Sequence, residues 1–261
     1  MVKKKEFNIL WITVPIFIIF MCSVVGYRLY DSAKRVKTVD ENTDFSLFIN
    51  LPDYENMSIP YNEIEMTDDE LDTSIIIDLQ LNEVPVKKDG EKVLPEIDDE
   101  TALKYFGTNA EEYKKNLKDK TENERKWEYI YNYLLENTIF SYMPESAGAY
   151  FQKVISACKK KAAAENQSID AYLEANYGAS YTEFHDQIYG LYSEMLIFYA
   201  LAQKEQLTYS ENDYNDKIKE LSDKGTVFEE ELDMLGKEYG YYKIIYSDME
   251  KILTDKIPLN K

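Results

Sequence analysis

The chain has 261 residues, 44% of them apolar, enough to bury one sizeable core or two small ones and too many for a disordered polypeptide. Its 49 acidic and 30 basic residues leave a net charge of −19, which excludes a nucleic-acid partner, because phosphate binding needs clustered Lys and Arg in excess. The acidity reads as a solvated surface that opposes self-association, with a preference for basic clients as the sharper reading.

Residues 1–8 form a basic tail with Lys3, Lys4 and Lys5. The run 9–27, ILWITVPIFIIFMCSVVGY, carries no charge over 19 residues and is long enough to cross a bilayer. Trp11 near one end, and Tyr27 and Tyr30 at the other, are the amphipathic rings expected at the two membrane interfaces. Pro15 is tolerated inside a membrane helix. A cleaved signal peptide, with Val24 and Gly26 before the cut, is the competing reading, but the run exceeds the apolar core of a typical signal. Cys22 lacks the preceding small residue that lipoprotein processing uses. The short basic N-terminus places residues 28–261 outside the cell membrane, although Arg28, Lys34, Arg35 and Lys37 weaken the charge asymmetry. The expected protein is thus single-pass, with an extracytoplasmic C-terminal domain.

Residues 28–44 are polar, without an apolar period, and read as a linker. Order is expected from Phe45. The stretch LPDYENMSIPYNEIEMTDDELD begins at Leu51 and carries Pro52 and Pro60, which suit extended chain and turns. Thr67 and Glu70 form a capping box, so a helix runs from there to Leu81 with Leu71, Ile75 and Leu79 on its apolar stripe. Residues 82–95 form a short loop that turns at Gly90. LPEIDDETALKYFG follows, with Leu94, Pro95, Glu96, Asp98, Asp99 and Gly107.

Thr108 and Glu111 are expected to cap a long helix carrying Leu117, Trp127, Ile130, Tyr131, Leu134 and Leu135, ending near Phe140. Pro144 opens a helix through Phe151, Val154, Ile155 and Cys158 into KKKAAAE, and the chain returns over 168–177. These two make a helical hairpin, expected to project from the body.

The central feature is 180–222. Ser180 and Glu183 form a capping box. Beyond them Tyr181, Phe184, Ile188, Leu191, Tyr192, Met195, Tyr199 and Ala202 lie on one stripe of a long, half-buried helix. After Gln206 the chain turns, and Ser210 with Asp213 opens a second helix bearing Tyr214, Ile218 and Leu221. From Phe228 through Leu232, Leu235, Tyr239, Tyr242, Ile245, Tyr246, Met249, Ile252 and Leu253, helical spacing defines the last helices, which pack back on the long one.

Leu201, Ala202, Glu205, Leu207, Ser210, Glu211, Asp213, Tyr214 and Ile218 resemble the corresponding stretch of the C-terminal chaperone domain of trigger factor, whose general plan is shared by SurA-type folding factors. The segments LPDYENMSIPYNEIEMTDDELD and LPEIDDE resemble the same family, in the same order. The resemblance covers residues 45–261 and implies a mainly α, multi-helical chaperone domain with helical-hairpin arms. It departs from the family pattern twice. Residues 82–95 leave no room for the prolyl isomerase domain, and a membrane span stands where the ribosome-docking domain would be.

No catalytic constellation is legible. His185 is the single histidine, so no multi-histidine metal site can be built, and neither a P-loop nor a dinucleotide glycine pattern occurs. Asp68, Asp69, Asp98, Asp99 and Glu229–Glu231 read as acidic residues at helix starts. The 23 tyrosines are the remaining feature that could carry function. Phe151, Tyr189, Tyr192, Tyr199, Tyr214 and Tyr242 are the candidate client-binding residues, lining an aromatic cradle that holds unfolded segments without reading their sequence. The expectation is a membrane-anchored holdase for unfolded or newly translocated polypeptides, without catalysis, cofactor, metal or ribosome docking. An envelope adaptor that binds one folded partner is the alternative, and an isomerase is the third reading.

Overall fold

Helix starts in this chain are set by side chains that reach back to the backbone. In the computed structural model, which describes residues 34–40, 42–84, 88–89, 92–226 and 229–260, nine α-helices occur among the described residues. The first, α1 (Asp68–Leu81), begins with the expected reciprocal box: Thr67 Oγ1 accepts from the Glu70 N–H, and the Glu70 carboxylate accepts from the Thr67 N–H at 2.8 Å. Next come α2 (Asp99–Phe106), α3 (Ala110–Asn137), α4 (Ser146–Ala164), α5 (Ile169–Tyr177), α6 (Tyr181–Lys204), α7 (Glu211–Asp223), α8 (Glu229–Leu235) and α9 (Lys237–Lys256). The expectation of a mainly helical protein holds.

Two helix starts differ from expectation. The cap of α3 is Asn109, whose side chain accepts from the Glu112 N–H at 2.8 Å, while the Thr108 hydroxyl donates to the Glu112 carboxylate. Asn109 is an equally good cap one residue further on, so it takes the position assigned to Thr108. Likewise α4 begins two residues past Pro144, with no side-chain cap. Its first turn is closed by the Ala147 N–H donating to Pro144 O at 3.1 Å.

Short strands fill the gaps between helices: β1 (Ile49–Asn50), β2 (Ile59–Pro60), β3 (Lys88–Asp89), β4 (Lys92–Val93), β5 (Ile139–Phe140) and β6 (Leu259–Asn260). The loop 82–95 contains an antiparallel β3–β4 hairpin with Lys88 opposite Val93. Strands β2 and β6 pair in parallel, Ile59 opposite Leu259, which ties the lead-in segment to the C-terminal end.

The span 45–261, expected as one domain, divides into two packing units. The first comprises 1–49 and 140–189, the second 50–139 and 190–261. In the first, α4 buries Ala147, Tyr150, Phe151, Val154, Ile155, Cys158 and Ala162 and packs against α5, which buries Tyr172 and Leu173. These helices form the expected hairpin. Gly178 closes α5 in the left-handed conformation at φ 59°, which only glycine adopts without strain.

The expected linker 28–44 is engaged from Arg35 onward rather than free. The Arg35 guanidinium stacks 5.0 Å from the Tyr142 ring centre, and the Val36 N–H donates to the Tyr142 hydroxyl at 2.9 Å. Both contacts satisfy groups that an unattached linker would leave to water.

In the second unit, α3, α6 and α9 form the core. Trp127 of α3 is in ring contact with Phe198 from α6 and Tyr246 from α9, Phe198 is in ring contact with Tyr242 and Tyr246, and Ile130 and Leu134 of α3 are buried. Part of α6 departs from the expected half-buried stripe. From Met195 to Ala202 every residue except Tyr199 is buried, so this stretch is enclosed on all faces. A smaller cluster of Ile75, Leu79, Val84 and Tyr113 joins α1 to α3.

No helix among the described residues is long and apolar enough to cross a membrane. The expected span 9–27 and its interface residues Trp11, Tyr27 and Tyr30 lie outside the described residues.

Candidate functional site

The aromatic cradle requires its rings to be reachable, and most of them are not. Phe151, Tyr192, Tyr214 and Tyr242 are all buried. Phe151 packs edge-on to Tyr181 and His185, with ring centres 5.8 and 4.6 Å away. Tyr214 lies against Tyr241 and Gly240 at the α7–α9 crossing. Tyr242 sits among Phe198, Tyr239 and Tyr246. Of the six candidates only Tyr189 and Tyr199 are half-buried. Tyr189 stacks on His185 at 4.4 Å, and the Tyr199 hydroxyl donates to Glu238 O at 2.6 Å. Four of the six are therefore core residues, large rings that gain more from burial than from solvent, and, elsewhere too, buried tyrosine hydroxyls find partners.

Those partners are mostly carboxylates. Glu194 of α6 accepts from the hydroxyls of both Tyr131 and Tyr242. Tyr113 donates to Asp78 at 2.7 Å, Tyr209 to Asp248 at 2.8 Å and Tyr61 to Glu122 at 3.1 Å. Trp127 Nε1 donates to the Tyr246 hydroxyl at 2.7 Å. Burial, followed by hydrogen bonding to the carboxylate, pushes the phenols of Tyr113, Tyr131, Tyr209 and Tyr242 well above their ordinary value. Tyr239 is pushed up to about 12 by burial and the nearby Glu231 charge. An acidic, tyrosine-rich composition thus resolves into neutral donors that satisfy partly buried carboxylates.

The lead-in segment and the ends of α6 and α9 also meet. Tyr54, from LPDYENM, donates to Glu205 Oε1 at 2.8 Å, and Lys256 Nζ donates to the same oxygen at 2.8 Å. Glu55 is bridged at 3.3 Å by Lys204 and by Lys256, and both lysines lie over the Tyr54 ring. This is a clasp that joins the lead-in segment to the ends of α6 and α9 around the buried Tyr54.

The large apolar side chains that do face solvent among the described residues are Leu47, Ile139 and four on α1 and α2. In α1 Ile77 is 50% exposed and Leu81 77%, and in α2 Leu103 is 65% and Tyr105 37% exposed. Ile77 and Leu81 are four residues apart and so share one face of α1, opposite the packed pair Ile75 and Leu79. Both helices pack on α3. A signal for these residues was present in the sequence. The run Ile75-Ile76-Ile77 followed by Leu79 and Leu81 holds more apolar residues than one buried stripe can use.

His185 lies 3.1 Å from Asp186 and between Phe151 and Tyr189, a packed aromatic position. Among the described residues no group of His, Cys, Asp and Glu could hold a metal ion. Cys158 is buried and forms no disulfide. Comparison of the chain with protein-family models, with curated proteins and with solved structures returned no match.

Proposed function

We propose that this chain is a membrane-anchored, trigger-factor-like holdase that binds unfolded or newly translocated polypeptides at the cell membrane, outside the cytoplasm. The observation that supports this reading best is the set of solvent-facing apolar side chains on α1 and α2, namely Ile77, Leu81, Leu103 and Tyr105. Exposed leucine and isoleucine of this size, presented on helices anchored to α3, offer reversible apolar capture without a defined pocket. Clients are held there and not in a tyrosine cradle. The clasp between Tyr54 and Glu205 adds support, since it gives the shared motif residues a common architectural task. The reading involves no chemical step, no nucleotide and no ribosome contact.

The test is aggregation of several unrelated denatured proteins diluted with or without the full chain, held in nanodiscs. Suppression across most clients is expected, and replacing both Leu81 and Leu103 by Ser should at least halve it. Replacing Tyr189 by Ser should leave it unchanged. Suppression of none, by protein verified as folded, would refute the holdase and favour an adaptor with one folded partner. Catalysed proline isomerisation would favour an isomerase instead.

A further inference from the structure

The net charge is unevenly divided. Over 34–49 and 140–189 the first unit carries seven basic and nine acidic residues, whereas the other unit carries nineteen basic and thirty-eight acidic. Within this less acidic unit, α4 carries Lys153, Lys159, Lys160 and Lys161 and no carboxylate from Ser146 to Ala164, the one helix among those described without an acidic residue. Its apolar face is buried, so the opposite face is settled by packing. Gln152, Lys153, Ser156, Lys159, Lys160 and Ala163 are exposed on it. Lys153 and Lys160 are seven residues apart, two turns along one line, with Lys159 beside them. Lys159 and Lys160 pair with no carboxylate among the described residues.

We infer that this lysine face of α4 docks on an anionic lipid surface. Charge complementarity selects the partner: a basic, acid-free face on an otherwise acidic protein is attracted by anionic headgroups, to which each lysine contributes about fivefold in affinity. Chain length supplies proximity. Six residues lie between Tyr27, the end of the apolar run, and Lys34, a reach of at most about 25 Å. The unit that bears α4 is therefore tethered near the headgroups, which raises the local lipid concentration it meets. This proximity rests on the anchoring part of the proposed function. The acidic unit is repelled by the same surface, so docking through α4 leaves the apolar residues of α1 and α2 with the unit that anionic lipid does not attract.

The experiment reconstitutes the full chain into vesicles of phosphatidylcholine alone or mixed with phosphatidylglycerol. Lysines are labelled with a membrane-impermeant amine reagent and read by peptide mass spectrometry, normalised to exposed Lys219 of the acidic unit. Labelling of Lys153, Lys159 and Lys160 is expected to fall about fivefold or more on anionic vesicles. It should recover in ~1 M salt, where the screening length shrinks to about 3 Å. In a variant with Lys159→Glu and Lys160→Glu, Lys153 should label equally on both vesicles. Flotation with neutral vesicles reads the anchor separately. Flotation with both lipids but equal labelling would overturn the docking face and leave the anchor standing. Flotation with anionic vesicles only, lost in the double variant, would support the docking face and refute the anchor.

Discussion

The Tyr54 hydroxyl donates to Glu205 Oε1 at 2.8 Å, joining residues 151 positions apart. Tyr54 is buried and Glu205 nearly so, and the second donor to that oxygen, Lys256, comes from the last turn of α9. A buried phenol that loses its partner keeps the cost of having left water, so this bond should matter more than its count of contacts suggests. Replacing Tyr54 by Phe should destabilise the second unit by ~1.5–3 kcal/mol, the range for a hydrogen bond to a charged group. In a cycle with Glu205→Gln, read by urea unfolding, a coupling of ~1 kcal/mol is expected. Strict additivity of the two substitutions would show that the clasp contributes nothing.

Alkaline pH should unfold the second unit. The buried phenols of Tyr54, Tyr113, Tyr131, Tyr209 and Tyr242 are raised above their ordinary value, chiefly by burial and then by their carboxylate partners. A raised phenol stays neutral in the folded chain, whereas in the unfolded chain it ionises near its ordinary value of about 10. Its stabilisation is therefore complete below about pH 10 and is lost as pH climbs toward the folded values. Phenolate absorbance and loss of helical circular dichroism should rise together above that pH. Smooth ionisation of every tyrosine near pH 10 with helix content intact would contradict the buried pairs.

Acid should weaken the start of α1. The Arg125 guanidinium, which lies 2.7 Å from Glu70, together with the Thr67 N–H and hydroxyl, holds the Glu70 carboxyl down at about 2. A lowered carboxyl contributes above its unfolded value and loses that contribution as pH falls toward the folded one. Replacing Glu70 by Gln should lower the melting temperature at pH 7, and the gap from the parent protein should narrow between about pH 4 and pH 2. A gap that stays constant across that range would remove Glu70 ionisation as its cause.

The crossing of α7 and α9 depends on Gly240. A Cβ at that position would lie 2.3 Å from the Tyr214 hydroxyl oxygen, 3.1 Å from its Cζ and 3.2 Å from Ile218 Cδ1. Because Tyr214 is buried and its ring is rigid, Gly240→Ala should cost ~1–3 kcal/mol, the usual penalty of overpacking. Adding Tyr214→Phe removes the nearest atom and should restore part of the loss, while the remaining contacts keep the rescue incomplete. Full stability in the single Ala variant, measured by thermal melting, would mean that the helices separate freely there.

Local features of this chain were readable from the sequence because they close within one helical turn. The boxes Thr67 with Glu70, Ser180 with Glu183 and Ser210 with Asp213 all form, since each joins backbone and side chains three residues apart. The buried members of the 180–202 stripe, Phe184, Ile188, Tyr192 and Met195, follow from helical period alone. Where two adjacent residues could serve equally, as Thr108 and Asn109 do before α3, spacing could not choose between them.

Partner choice over long separations belonged to the tertiary structure. Nothing in the spacing of Tyr54, Glu205 and Lys256 shows that they share one oxygen, nor does the strand β2 announce that it pairs with β6 two hundred residues later. The tyrosines illustrate the same point: a phenol suits a wet groove and a core equally well, and for several of them a carboxylate brought close by packing accepts the hydroxyl's hydrogen bond. Glu194 does so for Tyr131 and Tyr242. That arrival, brought about by packing α3, α6 and α9 together, moved the expected binding surface into the core and left the apolar residues of α1 and α2 facing water.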